Sequence, residues 1–457
     1  MKKYEKYKRL IRFVSGIALL AVQSIIFMYV WIYCYNDFME RPYQRLGHYY
    51  LAAVYALILY VFSSIYGSLR LGYFKNWELI YTHTLATICA NAVSYIPIVL
   101  LVKHFKSVMP LIGLTVLQFV VIVVWGHLAN GFYRKLYPPR KVIMIYGERP
   151  AAALMNKIYN RADRFVIGES VKIDNNLETL KEKILQYEGV VICDLPSQIR
   201  NELLKFCYGR SIRVYSTPKI SDILIRSAEN MHYFDTPLLL SRNDGLSIEQ
   251  AFIKRAMDIV VSLTLLIILS PVFLVTAIAI KRYDGGPVFF YQERCTKGGK
   301  TFSICKFRSM IVNAEKDGAI PATDHDPRIT PVGNIIRKYR IDELPQLINI
   351  LKGDMSLVGP RPERIEHVQL YSEEIPEFAF RLKVKGGLTG YAQVYGKYNT
   401  TAYDKLKLDL MYIQNYSILL DIEILFRTIK ILFEKESTEG FTEEASANVE
   451  RQTEDMK

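Results

Sequence analysis

With 457 residues, a formal charge of +13 and half of its residues hydrophobic, the chain is long enough for two or three domains and more apolar than a typical soluble enzyme. Its charge suits nucleic acid, an anionic membrane face or anionic substrates, but no aromatic-basic nucleic-acid module occurs, so nucleic acid is excluded as a partner. Six cysteines (Cys34, Cys89, Cys193, Cys207, Cys295 and Cys305) form no Cys-x-x-Cys pair, which argues against a zinc site and for reduced thiols in a cytosol-facing protein.

Four apolar stretches come first, about Ile11 to Tyr35, Tyr49 to Leu69, Leu79 to Val102 and Val108 to Phe132. Each has the roughly 20-residue length that crosses hydrocarbon, and the first is too long, and lacks the cleavage site, for a signal peptide. Residues 1–135 are therefore read as a transmembrane region of four spans. Lys2, Lys3, Lys6, Lys8, Arg9 and Arg12 precede the first span, and Arg134, Lys135, Arg140 and Lys141 follow the fourth. The positive-inside rule then places both ends in the cytoplasm. His48, His83 and His127 are read as packed or interfacial residues.

The texture changes at Lys141. Val142 to Tyr146, Phe165 to Ile173, Gly189 to Cys193 and Ile212 to Tyr215 read as strands alternating with helical stretches, the pattern of a parallel, doubly wound sheet. A dinucleotide site needs Gly-x-Gly-x-x-Gly after the first strand, whereas the turn here is Gly147-Glu148-Arg149-Pro150. Residues 140–245 are thus expected to form a Rossmann-like module without a cofactor.

Ile259 to Ile280 is again long enough to span, but Ser270-Pro271 interrupts it and Lys254, Arg255, Lys281 and Arg282 flank both ends. Proline breaks the helix, and the serine hydroxyl can satisfy a freed carbonyl. Charge on both sides predicts a segment, 259–280, that dips into the bilayer and returns, with a kinked fifth span as the alternative. Arg255 and Asp258, three apart on one helical face, are expected to pair.

Further on, Asp342-Glu343-Leu344-Pro345-Gln346 puts two carboxylates between the basic run Arg337, Lys338, Arg340 and an apolar helical segment, Leu344 to Leu351, closed by Lys352-Gly353. Pro345 fits only a first helical turn. The pair is therefore expected at a helix N-terminus, where free N–H groups favour anions. Phe378 to Val384 and Leu406 to Ile413 are amphipathic and read as surface-lying membrane contacts. Beyond Phe433 the chain turns acid-rich, and residues 434–457 are expected to be a disordered tail.

The order of motifs is specific. Lys254-Arg255-x-x-Asp258, Ser270-Pro271, Gly286-Pro287-Val288-Phe289, Gln292-x-Arg294, Lys306-Phe307-Arg308-Ser309-Met310, Asp326-Pro327-Arg328, Asp342-Glu343-Leu344-Pro345-Gln346, Gly353-Asp354-Met355-Ser356-Leu357-Val358-Gly359-Pro360-Arg361-Pro362 and Gly387-Leu388-Thr389-Gly390 follow one another. Together they resemble the bacterial sugar transferase family, the polyprenyl-phosphate glycosyl-1-phosphate transferases, and the four preceding spans resemble its larger branch. The chain departs from the family pattern at Thr296, where glycine is usual, and at Gly386, where proline is frequent.

The resemblance implies a mixed membrane protein: four-helix transmembrane region, α/β Rossmann-like middle module and, over 250–433, a mainly helical catalytic domain with a re-entrant helix. It implies a bacterial inner-membrane enzyme with its catalytic domain on the cytoplasmic face, moving a sugar-1-phosphate from a UDP-sugar to undecaprenyl phosphate with magnesium and releasing UMP. Such a step would start capsule, exopolysaccharide or O-antigen-type synthesis, with the bilayer, a second copy of the chain and downstream glycosyltransferases as partners. Asp342 is assigned as nucleophile, since an aspartate with pKa near 4 needs no base at pH 7. Glu343 is assigned as magnesium ligand, and Lys306, Arg308, Arg337, Arg340, Arg361 and Arg364 as phosphate-facing cations. Two rivals are a non-catalytic membrane scaffold for glycan assembly and a nucleotide-dependent oxidoreductase or epimerase in the middle segment.

Overall fold

The computed structural model describes residues 4–147, 152–159, 161–173, 176–241, 245–312, 314, 326–396 and 400–431. It divides into two compact units, Met1–Thr217 and Pro218–Lys457.

The first unit opens with α1 (Lys8–Cys34), α2 (Arg45–Tyr66), α3 (Asn76–Val102) and α4 (Met109–Leu136). All four are long and apolar enough to cross a membrane, and the chain is a membrane protein. Inside the bundle, where hydrophobic burial gives little drive, helices are joined by buried polar side chains. Tyr55 Oη donates to Asn91 Oδ1 at 2.8 Å, Asn91 Nδ2 donates to Gln118 Oε1 at 2.8 Å, and Gln118 Nε2 donates to Tyr55 Oη at 2.8 Å. His83 is packed inside as read, its Nδ1 2.8 Å from Ser68 Oγ. Phe13, Leu57, Leu100 and Leu128 stand on the outer faces, exposed.

Next comes a four-stranded sheet: β1 (Arg140–Tyr146), β2 (Phe165–Lys172), β3 (Gly189–Cys193) and β4 (Arg213–Ser216), in the order β2-β1-β3-β4 and parallel throughout. Between them run α5 (Ala152–Tyr159), α6 (Leu177–Ile184) and α7 (Ser197–Gly209). Val142 to Ile145 are wholly buried, as a central parallel strand covered on both faces requires. Ile143 and Ile145 meet Leu180, Ile184 and Leu203, whereas Val142 and Met144 meet Met155 and Ile158. A Cβ at Gly147 would lie 2.2 Å from the carbonyl oxygen of Asp194, so this glycine serves a close backbone approach. Glu148, Arg149 and Pro150 of the same turn lie outside the described residues, as do 434–457.

The second unit contains α8 (Ile220–Arg226), an antiparallel hairpin of β5 (Glu229–Tyr233) and β6 (Thr236–Leu240), then α9 (Ile248–Ile268) and α10 (Ser270–Asp284). A second antiparallel pair, β7 (Phe289–Cys295) and β8 (Thr301–Phe307), precedes α11 (Pro331–Lys338) and α12 (Gln346–Lys352). β9 (Ser356–Val358) and β10 (Gly387–Thr389) pair in parallel on either side of α13 (Ile365–Glu374), followed by α14 (Tyr391–Tyr395), α15 (Ala402–Gln414) and α16 (Ile418–Ile431). The unit is mixed α/β. The core joins Leu347, Ile350, Met355 and Leu357 to Phe378, Leu406, Leu410 and Ile424. Phe378 to Val384 and Leu406 to Ile413 are therefore not membrane-surface pieces: Phe378, Val384, Leu406, Leu410 and Ile413 face this protein core. An apolar stripe does not distinguish lipid from protein as its cover.

The apolar segment α9–α10 bends by 61° between Ile268 and Ser270. Ser270 Oγ donates to the Ile267 carbonyl at 2.8 Å, while Pro271 lies in the first turn of α10, where its missing N–H costs nothing. Asp258 does not pair with Arg255. It accepts from Ser356 Oγ at 3.0 Å and from the Leu357 N–H at 2.9 Å. Arg255 instead donates to the carbonyls of Ile350 and Leu351 at 2.6 and 2.7 Å, closing the C-terminal end of α12. Lys254 reaches Asp421 at 2.5 Å and Tyr412 Oη at 3.1 Å. Three neighbouring side chains thus fasten the bent segment to α12, β9 and α16.

Candidate active site

The chain reaches the carboxylate pair through a sharp reversal. Thr330 caps α11, its Oγ1 accepting from the Gly333 N–H at 2.9 Å. After Tyr339, Arg340 takes φ +56°, left-handed for a non-glycine, and Ile341–Glu343 follows as a single 3-10 turn. Asp342 and Glu343 sit in that turn, ahead of α12 rather than in its first turn. α12 ends as expected at Gly353, at φ +96°. It is only seven residues long, so side-chain cations, more than a helix end, set the field here.

Glu343 is the hub of those cations. Its Oε1 accepts from Arg361 Nη2 at 2.7 Å and lies 3.6 Å from Lys306 Nζ, and its Oε2 is 3.8 Å from Arg340 Nη1. Burial alone would raise its pKa, but Arg361, Lys306 and Arg340 overcome that and hold it well below the usual carboxylate range. Asp342 goes the other way. Burial and the neighbouring Glu343 charge push it up to about 6, against the pull of Lys306, Arg337 and Arg340. An aspartate near 4 was expected. The shifted group is still mostly ionised at pH 7, and its electron pair is less stabilised than that of a solvated carboxylate. Burial, with Arg361 and Arg294 nearby, lowers the pKa of Lys306 against the pull of Glu343 and Asp342. The Arg361 guanidinium is held firmly protonated, chiefly by Glu343.

The supports come from three different elements. Lys306 comes from the end of β8, Arg337 from the last turn of α11, and Arg361 from the segment after β9. Arg381 Nη2 donates to the Arg361 carbonyl at 3.0 Å, and Arg381 is itself paired with buried Asp409 at 2.7 Å. Nothing but an arginine and an aspartate in apolar surroundings marks this positioning pair along the chain. Of the two remaining proposed cations, only Arg308 is seen to be engaged elsewhere. Arg308 is buried against Asp284 and donates to the Pro287 carbonyl at 2.7 Å, tying α10 to β8. Arg364 occupies the N-cap of α13. The structure therefore brings together Asp342, Glu343, Lys306, Arg337, Arg340 and Arg361, four cations around two carboxylates, an arrangement chemically suited to an anionic group. Among the described residues, no group of three or more His, Cys, Asp or Glu side chains could hold a metal ion.

Residues 249–435 match the family model described as bacterial sugar transferase. Over 191 residues, 38% of this chain and 83% of the relative, the sequence is 37% identical to the exopolysaccharide production protein ExoY of Sinorhizobium fredii. The chain belongs to the bacterial sugar transferase family. Identity is 42% over 254 residues, 54% of this chain, to a UDP-N-acetylgalactosamine-undecaprenyl-phosphate N-acetylgalactosaminephosphotransferase of Aeromonas hydrophila. It is 37% over 247 residues, 53% of this chain, to a UDP-glucose:undecaprenyl-phosphate glucose-1-phosphate transferase of Klebsiella pneumoniae. The chain spans about half the length of these two relatives, 59% and 51%.

The carboxylate pair and its cations all fall inside the matched sugar transferase segment. So do the two departures from the family pattern, and they meet: the Gly386 N–H donates to Thr296 Oγ1 at 3.2 Å, and Thr296 Oγ1 donates to the Asp354 carbonyl at 3.0 Å. Proline at 386 would have no N–H to give. A Cβ there would also lie 2.5 Å from Pro362 Cγ, beside Arg361.

Proposed function

We propose that this sugar transferase moves a sugar-1-phosphate from a UDP-sugar to undecaprenyl phosphate, releasing UMP and initiating a capsule, exopolysaccharide or O-antigen-type glycan. One observation carries the reading: a half-buried aspartate with raised pKa lies beside a glutamate that gathers Arg361, Lys306 and Arg340. Exchanging one phosphoanhydride for another is mainly a matter of placing and neutralising charge, and that is what these side chains are equipped for. The relatives' names support the substrate classes, an undecaprenyl phosphate acceptor and a UDP-sugar donor.

In the first half-reaction an Asp342 carboxylate oxygen attacks the sugar-bearing phosphorus. A new P–O bond forms to Asp342, the anhydride P–O bond breaks, and its electron pair leaves with UMP. In the second, an oxygen of the lipid phosphate attacks the same phosphorus and the Asp342 carboxylate departs, leaving undecaprenyl-diphosphate-sugar. Arg361, Lys306, Arg337 and Arg340 bind and orient the phosphates in both halves. Magnesium fits this donor set, because it is commonly held by one or two carboxylates with substrate phosphates completing its shell. Glu343, kept ionised, would hold it, and the ion would add charge neutralisation at the phosphates.

Orientation follows from the flanking charge: both ends of the four-helix region on the cytoplasmic side of the bacterial inner membrane, with the bent α9–α10 segment as a re-entrant element. The clasp of Lys254, Arg255 and Asp258 would hold the site at headgroup level. Incubating membranes with labelled UDP-sugars and undecaprenyl phosphate tests the reading. Wild type should release UMP and make a lipid-linked product, and Asp342→Asn should do neither while remaining folded. Wild type yielding neither with any UDP-sugar would favour a scaffold.

A further inference from the structure

A separate cavity of about 60 Å³ lies within the first unit, where the start of α1 and the end of α4 meet the sheet. It offers several times the space one water needs. Among the described residues, Lys8, Arg12, Arg134, Arg140 and Arg164 line it, against only Glu5 and Asp163. Both carboxylates are already shared: Glu5 with Arg140, Arg213 and Lys8, and Asp163 with Arg134 and Arg161. Lys8 and Arg164 lean mainly on rings, Lys8 5.0 Å from the Tyr137 centroid and Arg164 4.7 Å from that of Tyr73. Arg12 donates to Tyr133 Oη through one guanidinium nitrogen, while its buried Nε has no hydrogen-bond partner among the described residues. A buried N–H of a charged group left unmatched is costly, and a site with three cations in excess lacks an anion.

We propose that this cavity binds a phosphate group. Guanidinium forks match phosphate oxygens in pairs, and Arg12 Nε is a donor that such an oxygen would satisfy. The strands also set the site apart from a nucleotide cofactor site. Arg140 begins β1 and Arg164 immediately precedes β2, so the cavity lies at the amino ends of a parallel sheet, opposite the carboxyl ends where cofactors bind. Because it sits where two membrane helices end, the phosphate belongs either to an anionic lipid headgroup or to a soluble phosphoester. The site is independent of the carboxylate pair and of the reaction proposed for it.

The full chain in phosphatidylcholine nanodiscs tests this, read by unfolding temperature and by native mass spectrometry of retained ligand. One arm adds phosphatidylglycerol to the discs; the other adds inorganic phosphate, with chloride at matched ionic strength as the blank. Wild type should be stabilised in at least one arm, and which arm responds identifies the source. Arg12→Gln, on the helix side, and Arg164→Gln, on the sheet side, should each weaken the response about tenfold or more while leaving the ligand-free unfolding temperature near wild type. Lys135→Gln removes the same charge from the exposed end of α4 without touching the cavity, and should respond as wild type does. No response of wild type in either arm would overturn the proposal. So would equal responses in wild type and both cavity variants, or a loss in Lys135→Gln as large as theirs, which would mark general surface attraction.

Discussion

The pH dependence of the first half-reaction follows from the environment of Asp342. Its carboxyl titrates at about 6, so about nine-tenths is ionised at pH 7 and about one-tenth at pH 5. Only the carboxylate can attack phosphorus, so the rate of UMP formation should fall by about tenfold across that interval. An aspartate at its ordinary value, near 4, would lose only about a tenth of its rate. The assay is rapid-quench measurement of UMP in the first turnover without lipid phosphate, since a phosphomonoester acceptor itself titrates near 6 and would confuse the second step. Glu343→Gln sharpens the test. It deletes the negative neighbour that raises Asp342 and frees Arg361, Lys306 and Arg340 to act on it. Both changes favour the ionised form, so the acidic limb should move to lower pH whatever happens to the maximal rate. A profile flat down to pH 5 in wild type, or a midpoint that stays or rises in Glu343→Gln, would refute the reasoning.

Arg361→Met should lower kcat/KM by about a hundredfold, with only part of the ligand-free stability lost because Lys306 and Arg340 still face the buried Glu343; a loss in stability without one in rate would make Arg361 a structural residue. Lys254→Met strands the buried Asp421 charge and should destabilise the protein by about 3–5 kcal/mol in thermal unfolding in detergent, with most of that regained in Lys254→Met/Asp421→Leu. Thr296→Gly and Gly386→Pro, which restore the family pattern singly, should each destabilise. The double variant should cost about 0.5–1.5 kcal/mol less than the sum, because one hydrogen bond is lost only once.

Some of this was legible because the determinants are local. Four long apolar runs become four helices, and the buried strand Val142 to Ile145 reads directly from its continuous apolar pattern. Asp342, Glu343 and their basic neighbours stand out as charges around a 3-10 turn and the end of α11. What failed depended on partners far along the chain. Arg308 lies two residues after Lys306, as if on the same strand face, yet β8 ends at Phe307 and the arginine turns to Asp284. The i,i+3 relation of Arg255 and Asp258 is real, but β9 and α12 offer buried backbone groups that outcompete a surface pair. The parallel β9–β10 pair was missed because three-residue strands carry little periodicity, and the antiparallel β7–β8 pair because Phe289-Phe290-Tyr291 and Ile304-Cys305 break the apolar–polar alternation.

In the proposed mechanism Asp342 carries the phosphosugar between its two carriers. Mixing the enzyme with UDP-sugar alone, quenching within one turnover and mapping modified peptides by mass spectrometry tests it directly. A sugar-phosphate adduct should form on Asp342 and disappear, with lipid product formed, when undecaprenyl phosphate is added. Stoichiometric UMP release with the adduct on another side chain, or product formed at full rate by Asp342→Asn, would contradict it.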